Sequence, residues 1–429
     1  MKPRVIEQSR GIHGAVSLPG DKSISHRALM IGSLSQGTTR STNLADCDDC
    51  DRTMRAFKSM GIGIEKDPKR DVVIIEGKGL KGLTRPRDGT IHAGESGTTM
   101  RLLAGILAGQ NFSVTLEGGA SLSRRPMARI VEPLRMMGAA ITAQDGNFPP
   151  LQIQGGALLP IEYHMKVPSA QVKSAVLFAG LYSNATTTVH EPVKSRDHTE
   201  RMLSFFGADI IVKDLAVALK GGSALTAREI EIPADMSSAA FFLVAATMIP
   251  GSRVTLRSVC LNPTRSGIID ILVRMGARIT IRNQRETFEP VADITAESSE
   301  TRGIVIEQSE FPRFIDEAPL VFVLASVSKG KTIIKGAGEL RVKETDRIAS
   351  MVSNLKKMGA HIDAAGDDVS IEGVRSLRPA KFESRNDHRT AMSMAIAALS
   401  APGKSELDDE TCVSKSFPRF FEVVESLNR

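Results

Sequence analysis

Ala239-Ala240-Phe241-Phe242-Leu243-Val244-Ala245 is apolar at every position. A helix without a polar face has to be buried on all sides, so the rest of the chain must supply a layer around it. The same kind of segment recurs. Nearly all-apolar stretches, each opened by a polar turn, begin near Lys22, Ser96, Ser169, Ser237, Asp316 and Asp387. Each leads into a β-rich run, at 38–41, 112–116, 186–189, 254–256, 332–334 and 405–407. Between these lies a second, amphipathic kind of segment. It ends in Met60-Gly61, Met137-Gly138, Phe206-Gly207, Met275-Gly276 and Met358-Gly359, with the glycines 77, 69, 69 and 83 residues apart. In 129–137, Ile130, Val131, Leu134 and Met137 share one face of a 3.6-residue helix. The glycine that follows is where a helix C-cap is expected. A strand pair comes next, as in Ala140-Ile141-Thr142 and Leu151-Gln152-Ile153.

Recurrence at a fixed period marks a repeat architecture. The unit reads: buried helix, strand, amphipathic helix, strand, turn, strand. Six copies fit the chain. The sixth lacks its last two strands, while Val5-Ile6-Glu7 and Ala15-Val16-Ser17 are spare strand-like pieces near the start. Residues 1–20 are therefore expected to complete the sixth unit. That places 1–20 with 231–429 in one domain and 21–230 in the other, three units each, with the amphipathic helices outside the buried ones. The polar helix starts present unpaired N–H groups and partial positive charge. With three aimed from each domain into a shared cleft, they form an anion trap.

Composition narrows the function. The 429 residues are 41% apolar and 24% charged, so disorder is excluded. The net charge of +6 permits anionic partners. Aromatics make up 4%, with no Trp and two Tyr, too few for the stacking platforms of single-strand nucleic-acid binding. Four cysteines form no disulfide framework. No secretory signal is visible at 1–14, and no apolar run approaches the ~20 residues of a membrane span. A cytoplasmic protein acting on small molecules is expected.

Several motifs fail on inspection. Gly20-Asp21-Lys22-Ser23 lacks the spacing of a phosphate-binding P-loop, as does Gly330-Lys331-Thr332. No dinucleotide fingerprint is present. Cys47-Asp48-Asp49-Cys50 has the spacing of half a zinc site or of a redox pair. No second pair accompanies it, so it reads as structural, and Cys412 has no local support as a nucleophile. More telling are the basic residues at the segment starts: Lys22, Arg27, Arg124, Arg125, Arg196, Lys343, Arg347, Arg389 and Lys415. Asp316, Glu344 and Asp387 lie among them. Each alone is explained by surface charge or capping. Together they suit two anionic substrates and a reaction that moves protons.

Leu18-Pro19-Gly20-Asp21-Lys22-Ser23-Ile24-Ser25-His26-Arg27-Ala28-Leu29 resembles the amino-terminal signature of the 5-enolpyruvylshikimate-3-phosphate synthases. Arg341-Val342-Lys343-Glu344-Thr345-Asp346-Arg347 resembles their second signature. Ser96-Gly97-Thr98, Arg125-Pro126, Ser169-Ala170-Gln171, Asp387-His388-Arg389 and Lys415-Ser416-Phe417-Pro418 follow in the family's order, so the resemblance spans 18–418. It implies a two-domain inside-out α/β barrel of six β-α-β-α-β-β units, with sheets outside the buried helices. It also implies the shikimate-pathway reaction toward chorismate and aromatic amino acids, the target of glyphosate. Shikimate 3-phosphate attacks phosphoenolpyruvate through its 5-hydroxyl, and a tetrahedral intermediate then loses phosphate. A monomer using no metal and no organic cofactor is implied.

By the same resemblance, Lys22, Gly97, Arg125, Gln171, Arg347, Arg389 and Lys415 hold phosphoenolpyruvate. Lys22, Ser23, Arg27, Ser169, Ala170, Gln171, Ser195, Asp316 and Lys343 hold shikimate 3-phosphate. Asp316 accepts the hydroxyl proton, and Glu344 and Lys22 are the candidate donors to the methylene carbon. Three positions depart from the pattern: Glu95 in place of an asparagine, His198 of a tyrosine and Ala170 of a serine. An ionised Glu95 is expected to repel phosphoenolpyruvate unless it turns away or pairs with a base. The related UDP-N-acetylglucosamine enolpyruvyl transferases carry a Cys or Asp in the loop before an Arg-Pro pair. Here Gly118-Gly119-Ala120-Ser121-Leu122-Ser123-Arg124-Arg125-Pro126 has neither.

Overall fold

The computed structural model describes residues 3–428. Six small sheets account for the described strands, one per repeat. The repeat over 90–154 shows the plan. Strand Thr90–His92 leads into helix Gly97–Ala108, strand Ser113–Glu117, helix Ala128–Met136 and the hairpin Ala140–Gln144 with Phe148–Gln154. The first two strands run parallel and the others antiparallel. A parallel pair needs a crossover connection, and the buried helix is that crossover.

The chain forms two compact units, Met1–Pro19 with Pro233–Arg429, and Gly20–Ile232. In the second unit the buried helices are Lys22–Leu34, Gly97–Ala108 and Ala170–Gly180. In the first they are Met236–Met248, Ala318–Ala325 and His388–Ser400, and every residue of Ala318–Ala325 is buried. Phe241 and Phe242 pack edge-on or tilted against Phe420, tying the buried helix Met236–Met248 to the amphipathic helix Phe420–Leu427. The five glycines that close the amphipathic helices, Gly61, Gly138, Gly207, Gly276 and Gly359, all have φ between +81° and +104°. Only glycine takes that conformation without a Cβ penalty, which is why the dipeptide recurs.

The two N-terminal pieces part company. Arg4–Glu7 pairs with Lys404–Leu407 and completes the sixth repeat's sheet, as expected. His13–Ser17 does not join it. It runs parallel to Arg253–Cys260 as the edge strand of the fourth repeat's sheet. In the second, third, fifth and sixth repeats that edge is filled by a short strand just before the buried helix. Before Met236–Met248 that strand is Glu229–Glu231, and it pairs instead with Gln36–Thr42 of the first repeat. The vacated edge is taken by His13–Ser17. These leading strands are two or three residues long in five repeats, as in Val305–Ile306 and Lys381–Phe382. That is too short to leave an alternating pattern in the sequence. Among the described residues, no helix is long and apolar enough to cross a membrane.

Candidate active site

In the unit Gly20–Ile232, Asp21 caps the first buried helix by accepting from the Ile24 amide at 2.9 Å. This presents Lys22 and Ser23 at the helix start. Lys22 Nζ lies 2.9 Å from Asp49 Oδ2. Arg27, one turn on, is buried, and its guanidinium is fully directed. It donates to Ser23 O at 2.9 Å, Ser174 Oγ at 2.8 Å and Thr199 Oγ1 at 2.7 Å. His26 meets Thr53 Oγ1 at 2.7 Å. Burial, then Lys22 and Arg27, push its pKa well below the usual histidine value, so it stays neutral near neutral pH.

Ser96 caps the second buried helix and Ser169 the third, each through its own hydroxyl. Ser169 thus serves as a cap in this structure, while Ala170 offers only its backbone. Arg101 brings three expected residues together. It donates to Gln171 Oε1 at 2.8 Å and to Pro126 O at 3.3 Å, beside Arg125. Gln171 in turn donates to Thr98 Oγ1 at 3.1 Å. A Cβ on Gly97 would stand 2.8 Å from Arg101 Nη1, close enough to displace that guanidinium, and in ordinary contact at 3.5 Å from Arg125 Nη1. Ser195 belongs to a separate network. Glu191 accepts from its amide at 2.9 Å and from its hydroxyl. Glu191 is held by Lys173 at 2.8 Å, and Lys173 also meets Glu200 at 2.6 Å, all three essentially without solvent.

Glu95 has turned away. Its carboxylate accepts from Leu122 N at 2.8 Å and Ser121 N at 3.3 Å, capping the short turn Leu122–Arg124 that precedes Arg125. Of the outcomes the sequence left open, charge repulsion, a side chain turned away or pairing with a base, the structure has the side chain turned onto backbone amides.

The other unit assembles its charges around Arg347. This guanidinium is 2% exposed and meets Asp387 Oδ2 at 2.9 Å, Asp316 Oδ1 at 3.3 Å and Glu344 Oε2. Burial disfavours its charge, but Asp387, Glu344 and Asp316 together hold its pKa above the ordinary arginine value. Asp316 also faces Arg265 at 3.6 Å, and Arg265 is held by Asp235 at 3.0 Å and Ser237 Oγ at 2.7 Å. Lys343 is half-buried beside these groups. Desolvation lowers its pKa, opposed by Asp316 and Glu344 and assisted by Arg347. Asp387 caps the sixth buried helix by accepting from the Arg389 amide at 2.8 Å, and Arg389 Nη1 lies 3.8 Å from Glu317. Lys415 Nζ donates to Asn386 O at 2.7 Å and Oδ1 at 2.8 Å, one residue before that cap.

Sequence reasoning missed the partners. Asp49, Arg101, Lys173, Glu191 and Arg265 position expected residues across elements and leave no pattern of their own. Asp235 and Glu317 were open to detection, because they stand at helix starts like those already singled out.

The family model described as EPSP synthase (3-phosphoshikimate 1-carboxyvinyltransferase) matches residues 6–424. The 3-phosphoshikimate 1-carboxyvinyltransferase of Bacillus cytotoxicus is 47% identical over 424 residues, covering 98% of this chain and 99% of that protein. The one from Geobacter sp. strain M21 is 47% identical over 429 residues, covering 100% and 99%. A solved structure of EPSP synthase from Acinetobacter baumannii superposes with a TM-score of 0.89 at 42% identity, covering 99% of this chain and 98% of that one. The chain belongs to the EPSP synthase family, whose members are enolpyruvyl transferases.

Proposed function

We infer that this chain transfers the enolpyruvyl group of phosphoenolpyruvate to the 5-hydroxyl of shikimate 3-phosphate and releases phosphate. The observation that carries this is the family match along nearly the whole chain, with both long signatures intact. The reaction proceeds by addition and elimination. The hydroxyl adds to carbon 2 of phosphoenolpyruvate as carbon 3 gains a proton, and the tetrahedral product then loses phosphate and that carbon's proton.

The assignment of roles is ours. Arg27, Ser23, Ser195 and Lys343 hold shikimate 3-phosphate, with Ser169, the Ala170 backbone and Gln171 beside them. Arg125, Gln171, Arg347, Arg389, Lys415 and Lys22 hold phosphoenolpyruvate, and Gly97 leaves it room. Arginine suits these anions because its planar fork binds two oxygens at once. Asp316 accepts the 5-hydroxyl proton, and Glu344 or Lys22 supplies the proton for carbon 3. We propose that the protein acts as a monomer in the cytoplasm. The test is phosphate release from phosphoenolpyruvate, with shikimate 3-phosphate and UDP-N-acetylglucosamine supplied separately. Release with shikimate 3-phosphate alone is the expected result. Release with the nucleotide sugar, or with neither, contradicts the reading.

Two further outcomes follow. Glu95→Asn is expected to weaken phosphoenolpyruvate binding rather than tighten it. The shorter side chain loses the Leu122 amide, and the loop carrying Arg125 loosens. The Michaelis constant should rise by about tenfold, the scale of one charge-assisted hydrogen bond, and Glu95→Gln, which keeps one accepting oxygen but turns an amide donor toward the other backbone N–H, should raise it by less. Lys343 has a lowered pKa, so its charge is lost at a lower pH than an ordinary lysine's. kcat/KM for shikimate 3-phosphate should therefore fall along an alkaline limb set below the usual lysine pKa. Lys343→Arg should move that limb upward. An alkaline limb indifferent to Lys343→Arg would remove Lys343 from phosphate binding.

A further inference from the structure

Cys47 and Cys50 have no part in the roles above. Cys47 is the N-cap of helix Asp48–Ser59, in extended backbone, and Cys50 lies in the helix's first turn. Both are buried, three residues apart at the same helix start. Cys50 Sγ also donates to the backbone carbonyl of Lys22 at 3.8 Å. Asp49, between the two cysteines, holds Lys22 Nζ at 2.9 Å. The dithiol is therefore joined to Lys22 twice, through its main chain and through its ammonium.

A Cys-x-x-Cys at a helix N-terminus places its first sulfur where the unpaired N–H groups favour a thiolate. Here the neighbouring Cys50 thiol, with the Lys22 charge assisting, lowers the Cys47 pKa against the opposing effects of burial and of Asp49. Burial and the neighbouring Cys47 push Cys50 up. One sulfur is disposed to ionise and attack. The other keeps its proton until it resolves the product.

We propose that Cys47 and Cys50 form a reversible disulfide with a hydroperoxide as oxidant, and that closing it disables Lys22. The Cys47 thiolate attacks a peroxide oxygen, giving a sulfenic acid and, with hydrogen peroxide, hydroxide that takes up a proton to become water. The Cys50 sulfur then attacks the sulfenic sulfur. An S–S bond forms and a second water leaves. Two thiols have lost two protons and two electrons, and the peroxide has been reduced to two waters. The disulfide removes the S–H donor to the Lys22 carbonyl. It also draws the N-cap against the turn that carries Asp49, displacing the carboxylate that aims the ammonium. Intracellular disulfides of this kind are transient and redox-sensing rather than structural. The loss of activity rests on the role assigned to Lys22, whereas the disulfide does not.

The full chain, reduced and freed of thiols, is titrated with hydrogen peroxide. Alkylatable thiols are counted by intact mass under denaturing conditions, alongside phosphate release. The expected result is two of the four thiols lost as a Cys47–Cys50 cross-link, with activity falling by tenfold or more and returning with dithiothreitol. Cys47→Ser and Cys50→Ser (or Cys50→Ala, should the serine fail to fold) stay active and resist peroxide, while Cys260→Ser and Cys412→Ser respond as wild type. Four thiols persisting after peroxide, or a disulfide that leaves phosphate release unchanged, overturns the proposal. Absence of phosphate release from the reduced enzyme contradicts the assigned reaction instead, and the thiol count still decides the disulfide.

Discussion

Asp316→Asn is expected to lower kcat by about 10²–10⁴-fold, the range contributed by a positioned general base, with little change in either Michaelis constant. The asparagine keeps the shape and can still accept from one arginine. It cannot take the proton of the 5-hydroxyl. The fold should tolerate the change. Arg347 retains Asp387 at 2.9 Å and Glu344, and Arg265 retains Asp235 at 3.0 Å, so neither buried guanidinium loses its last carboxylate. Steady-state kinetics with a matched denaturation curve check this. A kcat within about threefold of wild type would move the base elsewhere, general-base contributions being far larger.

The second large effect falls on stability. Lys173→Met leaves Glu191 and Glu200 buried without their shared cation. Removing one partner of a buried ion pair costs about 3–5 kcal/mol. Glu191 also holds the Ser195 amide and hydroxyl, so the Michaelis constant for shikimate 3-phosphate should rise in the same variant. The pH dependence has a definite sign. Burial raises the Glu200 pKa, and Lys173 opposes it. Without Lys173 the folded-state pKa rises further above the unfolded value. A group raised in this way leaves stability in place at low pH and loses it as pH rises through the folded pKa. The destabilisation should therefore be smaller on the acid side of neutrality and larger on the alkaline side. Denaturant titration at both, following the transition of the unit Gly20–Ile232, measures it. A loss independent of pH would mean that the carboxylates are not the source.

How much of this was legible in the sequence differs by level. The buried helices were, because segments such as 239–245 offer no polar face and so admit one environment. The glycines after the amphipathic helices were, because a left-handed residue recurs at the same place in each unit. The leading edge strands were not: two or three residues carry no period, and the exchange of Glu229–Glu231 for His13–Ser17 between sheets depends on chain path rather than on pattern. Within the site, helix starts rich in Arg, Lys, Asp and Glu announced anion chemistry. Which charges meet was invisible. Lys22 and Asp49 are 27 residues apart, and Arg347 and Asp387 are 40 apart. Periodicity places a side chain on a face but does not select its partner on another element. Glu95 shows the limit most plainly. Its charge could be read, but the direction in which it turns depends on amides 26 and 27 residues later.

The central claim is addition followed by elimination, with carbon 3 of phosphoenolpyruvate passing through a methyl group. Running the reaction in D₂O with shikimate 3-phosphate and analysing the product by NMR tests it directly. A methyl group that rotates freely gives up either isotope on elimination, so deuterium should appear in the vinyl methylene of the product. A product formed at full rate with no deuterium at that carbon would contradict the account.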